Sequence, residues 1–227
     1  SKSDYPVTFT MPTKVTVAED SGPYTQLSFL TNIECGDLNY AGSVVADVAI
    51  VDSSVSPSLL FASMPTVTVN TGSFSGVDCL DGTASLTFTP ANDAFGSATV
   101  KVTLRSDRSL PITKSFDLTI TPVNDPPSFT LTETTISRPE DIGAVQVSGL
   151  AAEISAGTFD EAGRDGQTVS FTVTCDAEAS AMFSVQPTIS TAGSLSFASK
   201  QDAFGTSLCN VVLTDSKALS SAAQTLT

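Results

Sequence analysis

Four cysteines and a large excess of carboxylates are the chemically capable residues of this 227-residue chain. It has no histidine, which removes the commonest general base and the commonest zinc ligand. No Gly-x-Ser-x-Gly, Walker loop or histidine-based metal motif occurs. Asp160-Glu161 has the look of a paired carboxylate, but adjacent residues on a strand point to opposite faces. The chain is therefore read as non-enzymatic. Asp and Glu number 24 against 10 Lys and Arg, a formal charge of −14. Such a balance argues against nucleic acid, whose affinity comes from neutralised phosphates, and against an anionic membrane surface. It suits an acidic soluble surface or the binding of a divalent cation.

The elements that position these residues show a period of two. Val100, Val102 and Leu104 alternate with Thr99, Lys101 and Thr103, and Val169, Phe171, Val173 and Cys175 alternate with polar partners. Alternation marks strands with one buried face, and here they are separated by Gly, Asp, Asn and Ser. No long segment has helical periodicity. Residues 149–156 are small and apolar enough to hold a helical turn, and 217–223 read as a loop.

The strands fall into an internal repeat. Val15-Thr16-Val17-Ala18-Glu19-Asp20-Ser21-Gly22 lines up with Ile136-Ser137-Arg138-Pro139-Glu140-Asp141-Ile142-Gly143. Leu60-Phe61 lines up with Met182-Phe183, and Asp93-Ala94-Phe95-Gly96 with Asp202-Ala203-Phe204-Gly205. The order is preserved, and the first copy carries an insertion at 70–82, expected to be a surface hairpin or loop with its own contact surface. Thr121-Pro122-Val123-Asn124-Asp125-Pro126-Pro127 separates the copies, because proline ends strand pairing and stiffens a connection. The domains are thus 1–122 and 123–227, two all-β sandwiches in tandem. The second copy stops inside what reads as a strand, so the chain is read as a segment of a longer protein.

Cys175 shares a face with Phe171 and Val173, and Cys209 shares one with Val211 and Leu213. Two core-facing cysteines can bridge the two sheets if their Cα atoms come within about 7 Å. The aligned positions in the first copy are Ser53 and Val100, and its own cysteines are Cys35 and Cys79, the latter inside the insertion. Repeats that fold separately should pair their cysteines locally, Cys35 with Cys79 and Cys175 with Cys209; four free thiols are the alternative. No apolar run is long enough to span a bilayer, and no Asn-x-Ser/Thr sequon occurs.

The Pro122-Val123-Asn124-Asp125-Pro126-Pro127 linker followed by Glu140-Asp141 resembles the cadherin-like tandem repeats of large surface and secreted proteins. So does Asp160-Glu161-Ala162-Gly163 with the strand after it. Ig-like repeats carry close variants, and similar repeats occur in algal and protist surface and flagellar-hair (mastigoneme) proteins. The resemblance covers the whole chain. It implies antiparallel Greek-key β-sandwiches, an extracellular or cell-surface location, and a structural or adhesive role as spacer or assembly element. Partners would be neighbouring repeats and other surface or filament proteins, with no nucleic acid and no membrane insertion by this segment. It also implies calcium at the junction, held by Glu19, Asp20, Asn124, Asp125 and Asp160, with Asn92-Asp93, Glu161 and Asp215 as further candidates. The sequence departs from the calcium pattern at Asn39-Tyr40-Ala41-Gly42, where the second copy has Asp160-Glu161-Ala162-Gly163. A carbohydrate- or ligand-binding module is the alternative, although only Tyr5, Tyr24 and Tyr40, and no tryptophan, could form a lectin-type platform.

Overall fold

The computed structural model describes residues 6–35, 43–70, 81–106, 109–158 and 166–227. The fold is all-β. Helix among the described residues is confined to two single turns, Pro57–Leu60 (α1) and Ala179–Met182 (α2), which occupy matching places in the two copies. The chain divides into two compact units, Ser1–Val123 and Asn124–Thr227.

Unit 1 is built from β1 (Thr8–Thr10), β2 (Lys14–Ala18), β3 (Tyr24–Glu34), β4 (Val44–Ser53), β5 (Phe61–Asn70), β6 (Gly82–Pro90), β7 (Gly96–Ser106) and β8 (Ile112–Thr121). Two four-stranded sheets form, in the orders β1-β3-β6-β5 and β2-β8-β7-β4. All pairs are antiparallel except β2 with β8, which run parallel. Alternation puts Val100, Val102 and Leu104 of β7 inside, all 0% exposed. The inner faces meet where Phe29 of β3 packs edge-to-face on Phe116 of β8, centroids 4.9 Å apart. The insertion joins β5 to β6, paired up to Asn70 opposite Thr83. Residues 71–80, including Cys79, lie outside the described residues, as do Asn39, Tyr40, Asp160 and Glu161.

Unit 2 holds β9 (Ser128–Leu131), β10 (Ala144–Val147), β11 (Ala151–Ser155), β12 (Val169–Cys175), β13 (Phe183–Ile189), β14 (Leu195–Ser199), β15 (Cys209–Asp215) and β16 (Gln224–Leu226). Its sheets are β10-β14-β13, β11-β9 and β12-β15-β16. Phe129 of β9 meets Phe171 of β12 edge-to-face at 5.1 Å, joining opposed sheets in one core. The expected helical turn at 149–156 is instead the strand β11. Leu150 and Ala151 are buried there, and pairing with β9 satisfies the backbone, which outweighs the helix propensity of three alanines.

Backbone exceptions recur with the repeat. Ser28 has φ 52° where the second copy has Gly149 at 70°, and Asn32 at 50° corresponds to Glu153 at 52°. Ser28, Asn32 and Glu153 sit where the strand register shifts, and such bulges bend a strand over its partner sheet.

Candidate functional site

The two aligned acidic blocks meet in space, and they do so in the same way in each unit. Asp20 takes a left-handed conformation, φ 58°, and its Oδ1 accepts the backbone N–H of Asp93 at 3.1 Å. Asp141, φ 59°, accepts the N–H of Asp202 at 2.8 Å. Asp93 and Asp202 are themselves left-handed, both at φ 55°. Aspartate tolerates this region better than most residues because its short side chain bonds locally. Gly96 and Gly205 follow, at φ 156° and 152°, in a conformation side-chain-bearing residues rarely adopt. At Gly205 a Cβ would also come within 2.7 Å of the Met182 sulfur. The aligned blocks therefore build a clasp between the start of one sheet and the start of β7, or of β15.

Glu19 lies beside the clasp in unit 1 and is 1% exposed. Its Oε1 accepts the N–H of Val123 at 2.7 Å, and its own N–H donates to the Thr121 carbonyl at 3.0 Å. A buried carboxylate here closes the end of the parallel β2–β8 pair, where the ladder runs out of partners. Its counterpart Glu140 is exposed. In unit 1 the carboxylate oxygens of Asp20 and Asp93 lie within 4.8 Å of one another. These are hard oxygen donors of the kind calcium takes, and the Asp20 carboxylate retains acceptor capacity beyond the bond it takes from the Asp93 N–H.

In unit 2, Asn124 donates from Nδ2 to Asp215 Oδ2 at 2.8 Å and accepts from Gln167 Nε2 on Oδ1 at 2.7 Å. Asp125 accepts the Thr158 hydroxyl at 3.2 Å. Asp215 is buried, and its Oδ1 also accepts the N–H groups of Lys217 and Leu219, at 2.8 and 2.9 Å. Burial alone would raise its pKa; the bonds from Asn124, Leu219 and Lys217 and the Lys217 charge outweigh that and leave it below the ordinary carboxylate value. Asn124 and Asp215 are thus already matched to each other through protein hydrogen bonds. Gln167 completes the chain, and the sequence carries no mark of that role.

Cys175 and Cys209 form a disulfide, with Cα atoms 3.9 Å apart. The expectation that it bridges the two sheets is corrected. The two residues are direct neighbours on β12 and β15 of one sheet. Asp176 N–H bonds the Leu208 carbonyl next to them, so they form the non-hydrogen-bonded, closely spaced type of antiparallel pair. In unit 1 the matching pair is Ser53 opposite Ala98, two residues before the aligned Val100. The second copy has two more residues between Gly205 and its strand, which displaces the register. Asp176 fastens the far side: it accepts the Leu208 N–H at 2.7 Å and the Ser207 hydroxyl at 2.6 Å, which lower its pKa in that order. In unit 1 Ser54 takes that place, its hydroxyl accepting the Ser97 N–H at 2.9 Å. Cys35 is buried and disulfide-bonded; its expected partner Cys79 falls outside the described residues.

These features define a class: tandem all-β sandwich units with repeated acidic clasps and a cross-strand disulfide. No family model matches the chain, and no curated protein matches it by sequence. Among solved structures it is similar to the human desmocollin-1 ectodomain, at 10% identity and a TM-score of 0.37, over 100% of this chain and 37% of that one. It is similar to mouse clustered protocadherin PcdhgC3 EC1-3, at 12% identity and 0.44, over 99% of this chain and 66% of that one. It is also similar to protocadherin gamma B2 extracellular cadherin domains 3-6, at 18% identity and 0.46, over 100% and 52%. The chain thus spans between 37% and 66% of the length of these chains. The likeness is one of fold.

Proposed function

We propose that this chain is a non-enzymatic structural and adhesive module of a long extracellular or cell-surface protein, acting as a spacer or assembly element. The recurrence of the same clasp in both copies carries the reading: each repeat closes its own fold with its own residues, as a unit in a string must. The disulfides fit an oxidising compartment. No helix among the described residues is long and apolar enough to cross a membrane. A spacer must resist extension, and this is testable by pulling the chain between its ends. Two discrete unfolding events are expected. The disulfide locks 34 residues of unit 2, so reduction should lengthen its extension by about 120 Å, from roughly 3.5 Å per residue. Smooth extension without discrete events overturns the spacer reading.

Calcium is part of the proposal. Within unit 1 the ligands would be the Asp20 and Asp93 carboxylates, whose mutual repulsion a divalent ion offsets. Calorimetry at millimolar calcium should record binding that Asp93→Asn weakens at least tenfold. No heat from the wild-type chain overturns this part and leaves the clasp purely structural.

A further inference from the structure

One sheet edge of unit 2 is left unguarded. β12 lies at the edge of its sheet, paired on one side only, with β15. Cys175 and Cys209 form a non-hydrogen-bonded pair, so the alternate pairs, Thr174–Asn210, Thr172–Val212 and Ser170–Thr214, carry the ladder bonds. The N–H and carbonyl groups of Val169, Phe171, Val173 and Cys175 therefore point away from β15, and no backbone partner meets them among the described residues.

An exposed edge of this kind is a template for pairing with another chain, and folds blunt it with charge, proline or bulges. The counterpart edge strand of unit 1, β4, carries exposed Asp47 and Asp52 and a register shift between Ile50 and Asp52. The edge strands β5 and β13 carry Pro65 and Pro187, each with register shifts of its own. β12 reads Val-Ser-Phe-Thr-Val-Thr-Cys, without charge or proline, and its register against β15 runs unbroken from Val169 to Cys175. On its outer face Ser170, Thr172 and Thr174 are exposed, and Thr214, Val212 and Asn210 beside them are uncharged too. On its inner face Val169, Phe171, Val173 and Cys175 are only half-buried.

We propose that β12 pairs antiparallel with β12 of a second copy, about a two-fold axis at Thr172, so that one sheet continues through both molecules. In this register Phe171 lies opposite the second copy's Val173, and Val169 opposite its Cys175. These are the residues whose outward N–H and carbonyl groups exchange bonds. The inner face gains an aromatic–β-branched pair on each side of the axis. On the outer face Thr172 meets Thr172 and Ser170 meets Thr174, and both kinds of pair stabilise a sheet. A second copy fits because the edge complements itself. Chains of formal charge −14 repel one another. This edge brings no carboxylate to the seam, whereas self-pairing of β4 would bring Asp47 and Asp52 from each copy. One added strand pair buries less than a standard interface, so the contact is weak singly and strengthens when repeats are arrayed. It thereby names a partner for the assembly role proposed above, and it rests on that reading for the array.

The test uses the full chain with its disulfides intact. Sedimentation should show a monomer at about 10 μM and a growing dimer fraction towards about 1 mM. Thr172→Lys sets like charges directly opposite each other on an exposed face and should weaken the dimer by about tenfold or more. The melting temperature should stay unchanged, because the substitution lies on the surface. Thr172→Cys sets two thiols on Cα atoms about 4.5 Å apart, within disulfide reach, and mild oxidation should link the copies. Ser170→Cys sets them roughly 13 Å apart and should link about tenfold more slowly or less. A chain that stays monomeric at the highest concentration overturns the proposal. So does a dimer that Thr172→Lys leaves intact, or equal linking by the two cysteine variants. Each of these outcomes leaves the spacer reading standing, because the pulling experiment decides that reading separately.

Discussion

Cys175 and Cys209 face each other across a single ladder, so the disulfide fastens two strands that hydrogen bonds already hold in register. Its stabilisation therefore comes mainly from restricting the unfolded chain rather than from tying one sheet to the other. For a loop of 34 residues that is about 3–4 kcal/mol in the chain-entropy model. Cys175→Ser with Cys209→Ser should lower the stability of unit 2 by that amount in chemical denaturation and leave unit 1 unchanged. Asp215 supports a pH prediction. Its folded pKa lies below the ordinary value, so its contribution is complete above about pH 4 and is lost as the pH falls through the folded value. The melting temperature of unit 2 should fall as the pH drops from about 4 towards 2, and Asp215→Asn should flatten that dependence. The direct bond between Asn124 and Asp215 lay beyond sequence reasoning, which had only the types of both residues.

At the scale of elements, the acidic blocks prove to be fasteners. Asp20 and Asp141 each hold the turn that leads into β7 or β15 through one backbone N–H. Removing either carboxylate leaves that N–H to solvent, and an exposed bond of this type is worth about 1 kcal/mol. Asp141→Ala should cost unit 2 about that much, and Asp20→Ala should do the same to unit 1. Equilibrium denaturation of the two variants would check the equivalence directly. Gly205→Ala should cost more, because it adds backbone strain to the contact with Met182. The strands themselves were legible from alternation, as at Val100, Val102 and Leu104. The 149–156 stretch was not, because its small residues satisfy helix and strand patterns alike, and only pairing with β9 decides between them.

At the scale of the whole chain, each unit has its own core, one centred on Phe29 and Phe116 and the other on Phe129 and Phe171. Each should therefore fold when expressed alone. The fragments 1–123 and 124–227 are expected to give separate cooperative transitions whose melting temperatures match those within the full chain. A fragment that stays unfolded, by loss of the strand signal in circular dichroism, would show that its core depends on the other unit. The formal charge of −14 also belongs to this scale, and such a charge suits a solvated strand-rich surface.

The sequence by itself determined the all-β class, the tandem repeat, the inward faces of the long strands and the pairing partners Cys175 and Cys209. Each of these follows from local pattern: period two, collinear blocks, and cysteines on apolar faces. Tertiary structure alone decided that the disulfide lies within one sheet, that β2 runs parallel to β8, and that Asp20 and Asp141 clasp Asp93 and Asp202. Those outcomes depend on which strands become neighbours and in what register. Residues about 70 apart along the chain meet there by sheet pairing, and no local spacing encodes a contact of that range.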